Sequence, residues 1–360
     1  MIHHKIRTCF VILILIIAFA ELMSSSVAMS LPNDDLINAA RHCDIETIRE
    51  FISLDANVNV VDEHCYSPLM WVLEQACHRD IVELLLNNGA RVNHQNRSFQ
   101  TPLIEASHRC GPEIVELLLS HGADVTLRDV TGQTALHYAA YSMDDPRKMA
   151  LLIARGASID AKDGTRQTPL LTACSYGRKN LVVFLMENGA DINARDSQGE
   201  TALHKAARGR KGPVLELLIS KGLNVNLRDD KGRTSLHVIC DTLDGDPGSL
   251  IIGYISTIST LLNAGVDVHA KDNSGNTALM LIKKNADFSK HWWKVEKTEE
   301  LCMQHRPDLE NIRIEPGDPR LKPGSELLRK GWSKICFNFF TARRAYNEAI
   351  ELLKSHGAEE

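Results

Sequence analysis

Aromatic residues make up only 5% of this 360-residue chain, and after the first thirty residues no apolar run is long enough to cross a bilayer. There is no G-x-S-x-G, no H-E-x-x-H and no Walker glycine loop, so the sequence offers no motif for acyl transfer, zinc hydrolysis or nucleotide binding. Charge of neither sign dominates. The formal net charge is −5, and without residues 1–28 (Lys5 and Arg7 against Glu21, net +1) it is −5 − 1 = −6. A mildly acidic body is poorly suited to coating phosphate backbones, which argues against a nucleic-acid partner. Metal-ligand spacings are missing as well. Cys302, His305, His291 and Cys336 include no C-x-x-C or H-x₃-H pair, and Asp241, Asp244 and Asp246 lack EF-hand spacing, so neither a metal nor another cofactor is expected. The hydrophobic content of 44% and charged content of 24% are those of an ordinary soluble protein.

The N-terminus has a pattern of its own. Lys5 and Arg7 precede an apolar run from Cys9 to Ala20, followed by Glu21 and a small-residue tail ending at Val27 and Ala28. These are the three regions of a secretory signal peptide, with cleavage expected after Ala28. About twelve apolar residues fall short of the ~20 that span a bilayer, so cleavage is favoured over anchoring and no later membrane contact is expected.

The rest of the chain repeats itself. Asp129 to Ala140 reads D-V-T-G-Q-T-A-L-H-Y-A-A, Asp196 to Ala207 reads D-S-Q-G-E-T-A-L-H-K-A-A, and Asp229 to His237 reads D-D-K-G-R-T-S-L-H. Looser copies start at Asp62, Asn96, Asp163 and Asp272, so successive starts are 34, 33, 34, 33, 33 and 43 residues apart. A period near 33 carrying T-P-L-H-x-A resembles the ankyrin repeat. The resemblance covers residues 33–284 and a fragment at the C-terminus. It implies an all-α repeat solenoid of about eight helix-turn-helix units with β-hairpin-like fingers. It also implies a non-catalytic binding scaffold, whose targets differ from one such protein to the next.

The repeat has a physical plan. Ser67, Thr101 and Thr168 cap a first helix that opens on Pro68, Pro102 and Pro169, where a missing N–H costs nothing. Gly89, Gly122, Gly156, Gly189, Gly222 and Gly265 end the second helices, and Gly132, Gly199, Gly232 and Gly275 sit in finger turns, where positive φ is expected. Cys65, Phe99 and Arg166 replace the turn glycine, so strained or differently shaped tips are expected there. By this reading residues 1–28 are the leader, 33–61 a worn N-terminal cap and 62–271 six repeats. Residues 272–284 open an eighth repeat, 285–345 form an insertion or small subdomain rich in Trp and Pro, and 346–360 are a capping helix. A polar string around residues 244–248 lengthens the seventh unit.

Among the cysteines, Cys174 and Cys240 fall at small core positions. Cys43 and Cys110 replace the glycine that closes a first helix, and Cys77 lies one residue further along. Equivalent sites in stacked repeats lie roughly 10 Å apart, beyond the ~7 Å Cα limit for a disulfide, so separate thiols are expected. His137, His204 and His237 are expected to brace adjacent finger turns. The residue before each finger Asp (Arg128, Lys162, Arg195, Arg228, Lys271) is one that ankyrin proteins commonly point into the groove, which suggests an acidic partner segment. By the same template Tyr66, Phe99, Tyr141 and Tyr176 face a partner, with Trp71 and Tyr138 nearby and partly in the core.

The expectation is therefore a monomeric, exported, non-catalytic scaffold that binds a protein through its groove. A signal peptide on such a chain resembles exported ankyrin proteins of host-associated bacteria, which suggests an effector. A periplasmic or membrane-anchored scaffold and an enzyme centred in residues 285–345 are the alternatives.

Overall fold

The computed structural model describes residues 33–142, 144–241, 251–286 and 347–359. The leader, the string at 244–248, nearly all of 285–345 and the candidate ligands His291, Cys302, His305 and Cys336 lie outside the described residues. The chain divides into two compact units, Met1–Tyr138 with Ala150–Gly156, and Ala139–Met149 with Ala157–Glu360.

The first unit carries α1 (Asn33–Arg41), α2 (Ile45–Ser53), α3 (Pro68–Gln75), α4 (Arg79–Asn87), α5 (Pro102–Arg109) and α6 (Pro112–Ser120). Two further helices, α7 (Ala135–Tyr141) and α8 (Arg147–Ala154), are divided between the units. The second unit carries α9 (Pro169–Tyr176), α10 (Lys179–Glu187), α11 (Ala202–Arg208), α12 (Gly212–Ser220), α13 (Ser235–Asp241), α14 (Ile251–Asn263) and α15 (Ala278–Ala286). A last helix, α16, covers 347–355. Among the described residues the only extended pairing is an isolated antiparallel bridge between Arg128 and Thr134.

Within the first unit α1, α3 and α5 pack side by side in order, and each forms a hairpin with the helix that follows it. In the second unit α9, α11, α13 and α15 form one row and α10, α12 and α14 another. The rows are close because the facing residues are small. Ala106, Ala139, Ala140, Ala173, Ala206 and Ala207 are essentially inaccessible, and Leu69, Leu103, Leu136, Leu170, Leu203 and Leu236 fill the space between helices.

First helices start in two ways. Where proline opens the helix, the hydroxyl of Ser67, Thr101 or Thr168 accepts the N–H of Met70, Ile104 or Leu171 at 3.4, 3.2 and 3.4 Å. Where the motif reads T-x-L-H, the imidazole reaches back instead, and His137, His204 and His237 accept the N–H of Thr134, Thr201 and Thr234 through Nδ1. The second-helix glycines all have positive φ, from 78° at Gly265 to 89° at Gly156 and Gly189. Cys65, Phe99 and Arg166 take the same left-handed turn at φ 61°, 57° and 60°, so their tips keep the glycine shape at a steric cost.

The chain returns at its end to the pattern of α6. Ser355 at the end of α16 and His356 just after it bond the Leu352 carbonyl as Ser120 and His121 bond that of Leu117, and Gly357 has φ 90° as Gly122 has 84°. Ala349 and Leu353 are fully buried, and a Cβ added at Gly357 would lie 4.0 Å from His269 Nε2.

The cysteines depart from expectation at one pair. Cys77 and Cys110 form a disulfide with their Cα atoms 5.6 Å apart. The two residues are not equivalent. Cys77 lies past the end of α3 in the left-handed conformation at φ 53°, whereas Cys110 is extended at φ −94° and ψ 169°, so the spacing between repeats does not separate them. Cys43, Cys65, Cys174 and Cys240 are not disulfide-bonded. Burial raises the pKa of Cys174 and Cys240, which keeps them inert.

Candidate functional site

The fingers are held by one side chain each. Oδ1 of Asp62, Asn96, Asp129, Asp163, Asp196, Asp229 and Asp272 accepts the backbone N–H groups two and four residues on, at 2.8–3.0 Å. Asn96 fills this place with its own amide donating to Gln100 Oε1, and it is 5% exposed. In three repeats the second Asp oxygen takes a donor from the first helix: Trp71 Nε1 on Asp62, Tyr138 Oη on Asp129 and Lys205 Nζ on Asp196. Trp71 and Tyr138 therefore brace the fingers behind them.

The motif histidines have the same kind of role. His204 Nε2 lies 2.9 Å from the Arg233 carbonyl, and His237 Nε2 lies 2.9 Å from that of Ala270. Because Nδ1 accepts an N–H, each ring is neutral and donates from Nε2. Burial, only partly offset by these carbonyls, lowers both pKa values below the usual histidine range. A second ladder, missed in the sequence, runs along the finger bases. Asn59 and Asn93 in the first unit accept the N–H of Arg91 and Asp124, and Asp160 and Asn226 in the second accept those of Asp191 and Asp267. The recurrent Asn of the V-N-x segment was its signal.

The predicted groove cations are exposed, and three of them are anchored at their tips. Arg128 Nη1 donates to the Gly132 carbonyl of its own finger. Arg195 Nη1 donates to the carbonyls of Gly199 and Arg228, and Arg228 Nη1 to those of Gly232 and Lys271, so these two tie neighbouring fingers together. Lys162 is exposed.

Glu200 and Arg233, in the finger turns before α11 and α13, form an ion-pair chain with Lys205 and Arg208 of α11. Glu200, 1% exposed, meets Lys205 at 3.1 Å, Arg233 at 3.4 Å and Arg208. Burial favours its neutral form, but the Arg208 and Lys205 charges prevail and hold its carboxyl below the usual range.

The predicted aromatics divide between the units. In the first, Tyr66 is half-buried with its ring 5.0 Å from that of Trp71, whose other neighbour is the Arg41 guanidinium at 4.2 Å. Phe99 stands on a fingertip, 54% exposed. In the second, Tyr141 and Tyr176 pair at 5.2 Å, and Tyr176 is 53% exposed. Arg178 fixes the end of α7 by donating to the Tyr141 carbonyl, and Asp144 accepts the N–H of Leu181 at 3.2 Å, capping α10. The Tyr pair is thus a partly exposed aromatic platform beside a hydrogen-bonded helix end. Among the described residues no group of three His, Cys, Asp or Glu is placed to hold a metal ion.

Comparison with known proteins agrees with this geometry. The family model "Ankyrin repeats (3 copies)" matches residues 36–129, 75–163, 103–196 and 136–229, which together span more than half of the chain. An ankyrin repeat protein of Acanthamoeba polyphaga mimivirus is 34% identical over 73 residues, 19% of this chain and 45% of the viral protein, so less than half of that relative is spanned. The crystal structure of the human ASB11 ankyrin repeat domain superposes with a TM-score of 0.55 at 28% identity, covering 64% of this chain and 98% of that one. The matched family, the repeat period and the seven finger turns lead to one conclusion: this chain belongs to the ankyrin repeat family.

Proposed function

We propose that this protein is an exported, monomeric, non-catalytic scaffold that binds a partner protein through its finger and first-helix surfaces. The Tyr141 and Tyr176 platform carries the reading. Two aromatic rings held 5.2 Å apart, one of them 53% exposed, are unusual on a surface with few aromatics and match the residue type that dominates binding energy at interfaces. The motif histidines and most of the acidic residues nearby are committed to holding fingers, which leaves recognition rather than chemistry to this surface. The cations along the fingers favour an acidic segment in the partner.

The N-terminal leader pattern supports export, with an effector that acts on a host protein as the specific form of the proposal. The Cys77–Cys110 disulfide adds support for an oxidising step on the way, since such bonds form and persist outside reducing cytosol. The insertion between α15 and α16 is proposed to interrupt the eighth repeat without an active site. The test is a Tyr141→Ala/Tyr176→Ala variant presented to extracts of candidate host cells beside the unaltered chain. Partner affinity is expected to fall by ~2 kcal/mol or more with helical content unchanged. Equal capture by the two chains would move the site elsewhere.

A further inference from the structure

Among the described residues of the first unit, the large apolar side chains most exposed, apart from Leu54, are all on its fingers. Val61 is 43% exposed, Phe99 54% and Val130 61%. Backbone hydrogen bonds set the three tips side by side, Arg97 N–H donating to the His64 carbonyl at 3.2 Å and Val130 N–H to that of Ser98 at 3.0 Å. The second unit has the same ladder (Ser197 to Thr165, Asp230 to Gln198, Asn273 to Lys231), but its tips are polar.

Phe99 combines two unfavourable features. Its ring is in water, and its backbone is left-handed at φ 57°, at the position where Gly132 has φ 80°. Arg166 shares the backbone strain but has a charged side chain that water solvates, and the Cys65 side chain is half-buried. Among the described residues, a left-handed backbone and a large exposed apolar side chain coincide only at Phe99. Strain of this kind persists where function requires it.

The surroundings suggest what would cover it. Arg97, next but one in the chain, is exposed and has no ion pair among the described residues. Arg128 is exposed on the following finger with one nitrogen on the Gly132 carbonyl. We propose that Phe99 and Val130, flanked by Arg97 and Arg128, dock an extended segment of a partner protein in which carboxylates adjoin an aliphatic or aromatic side chain. This rests on the scaffold reading above and names the partner's chemistry at one end of the molecule.

Phe99→Gly tests it with an internal control, because glycine relieves the strained turn while removing the ring. The full chain is used to select from a phage-displayed random-peptide library, and the enriched peptide is synthesised for anisotropy titration. The expected result is enrichment of Asp or Glu beside Leu, Phe or Trp. Binding should be at least ~10-fold weaker in Phe99→Gly and in Arg97→Glu. The thermal midpoint of Phe99→Gly should be equal to or above that of the unaltered chain.

Enriched peptides without carboxylates, or affinity unchanged in Phe99→Gly, would overturn the proposal. Peptides insensitive to Phe99→Gly but lost in Tyr141→Ala/Tyr176→Ala would overturn the fingertip site and leave the scaffold reading standing. A library with no enriched sequence would count against both.

Discussion

Replacing His204 with Leu tests how the fingers are held. The change keeps an apolar body of similar size and removes three polar contacts at once: the acceptor for the Thr201 N–H at 3.3 Å and for its hydroxyl at 2.9 Å, and the donor to the Arg233 carbonyl at 2.9 Å. Thr201 is 1% exposed, so its N–H is left without an acceptor and out of reach of water. That costs about 1–3 kcal/mol. The Arg233 carbonyl keeps the Asp229 N–H at 2.9 Å and loses only its second partner, for about 1 kcal/mol more. The expected destabilisation is therefore about 2–4 kcal/mol, read as a lower urea midpoint followed by circular dichroism.

The same experiment has a pH signature. Burial lowers the His204 pKa in the folded state, so between that value and the unfolded one near 6.5 the unfolded chain binds more protons. The stabilisation is fully present above about pH 6.5 and is lost as the pH falls towards the folded value. The gap between the unaltered chain and His204→Leu should accordingly narrow on acidification. A loss below ~0.5 kcal/mol, or a gap independent of pH, would refute the bracing role.

Three further predictions follow from buried groups. Lys148 is 1% exposed and burial lowers its pKa from 10.5 to about 8, so its charge opposes folding at neutral pH and stability should rise between about pH 8 and 10.5. Lys148→Met should stabilise the chain by up to ~3 kcal/mol near pH 7 and abolish that rise, as urea titrations at several pH values would show. Reducing Cys77–Cys110, which closes a loop with a sequence separation of 33, should cost at most ~3–4 kcal/mol. Only the first unit should lose hydrogen-exchange protection as a result. Asn96, Arg97 and Ser98 form an N-glycosylation sequon, but the Asn96 amide is buried and bonded to Gln100, so the folded chain should stay unglycosylated in a glycosylating host, as intact mass would show.

The fold was legible in the sequence because its determinants are local. Thr before Pro, Gly after a helix and Asp before a turn each act within four residues, and the period repeats them often enough to expose the pattern. Phe99 at a glycine position was visible in the same way. What stayed hidden depends on how neighbouring repeats meet. Cys77 and Cys110 pair because one residue beyond the helix end turns left-handed, a displacement that a count of repeats does not capture. The span of the Arg195 and Arg228 guanidinium groups to the next finger's carbonyl, and the cap that Asp144 places on α10, also join segments more than thirty residues apart.

The most direct test of the scaffold account is site-specific photo-crosslinking in the presence of host extract. Benzoylphenylalanine would replace Tyr176 in one variant, and in another Glu187, an exposed residue on the second-helix side of the same repeat. The account predicts one discrete protein adduct from position 176 and none from position 187. Adducts from 187 alone, or an equal smear from both, would contradict binding through the finger and first-helix surface.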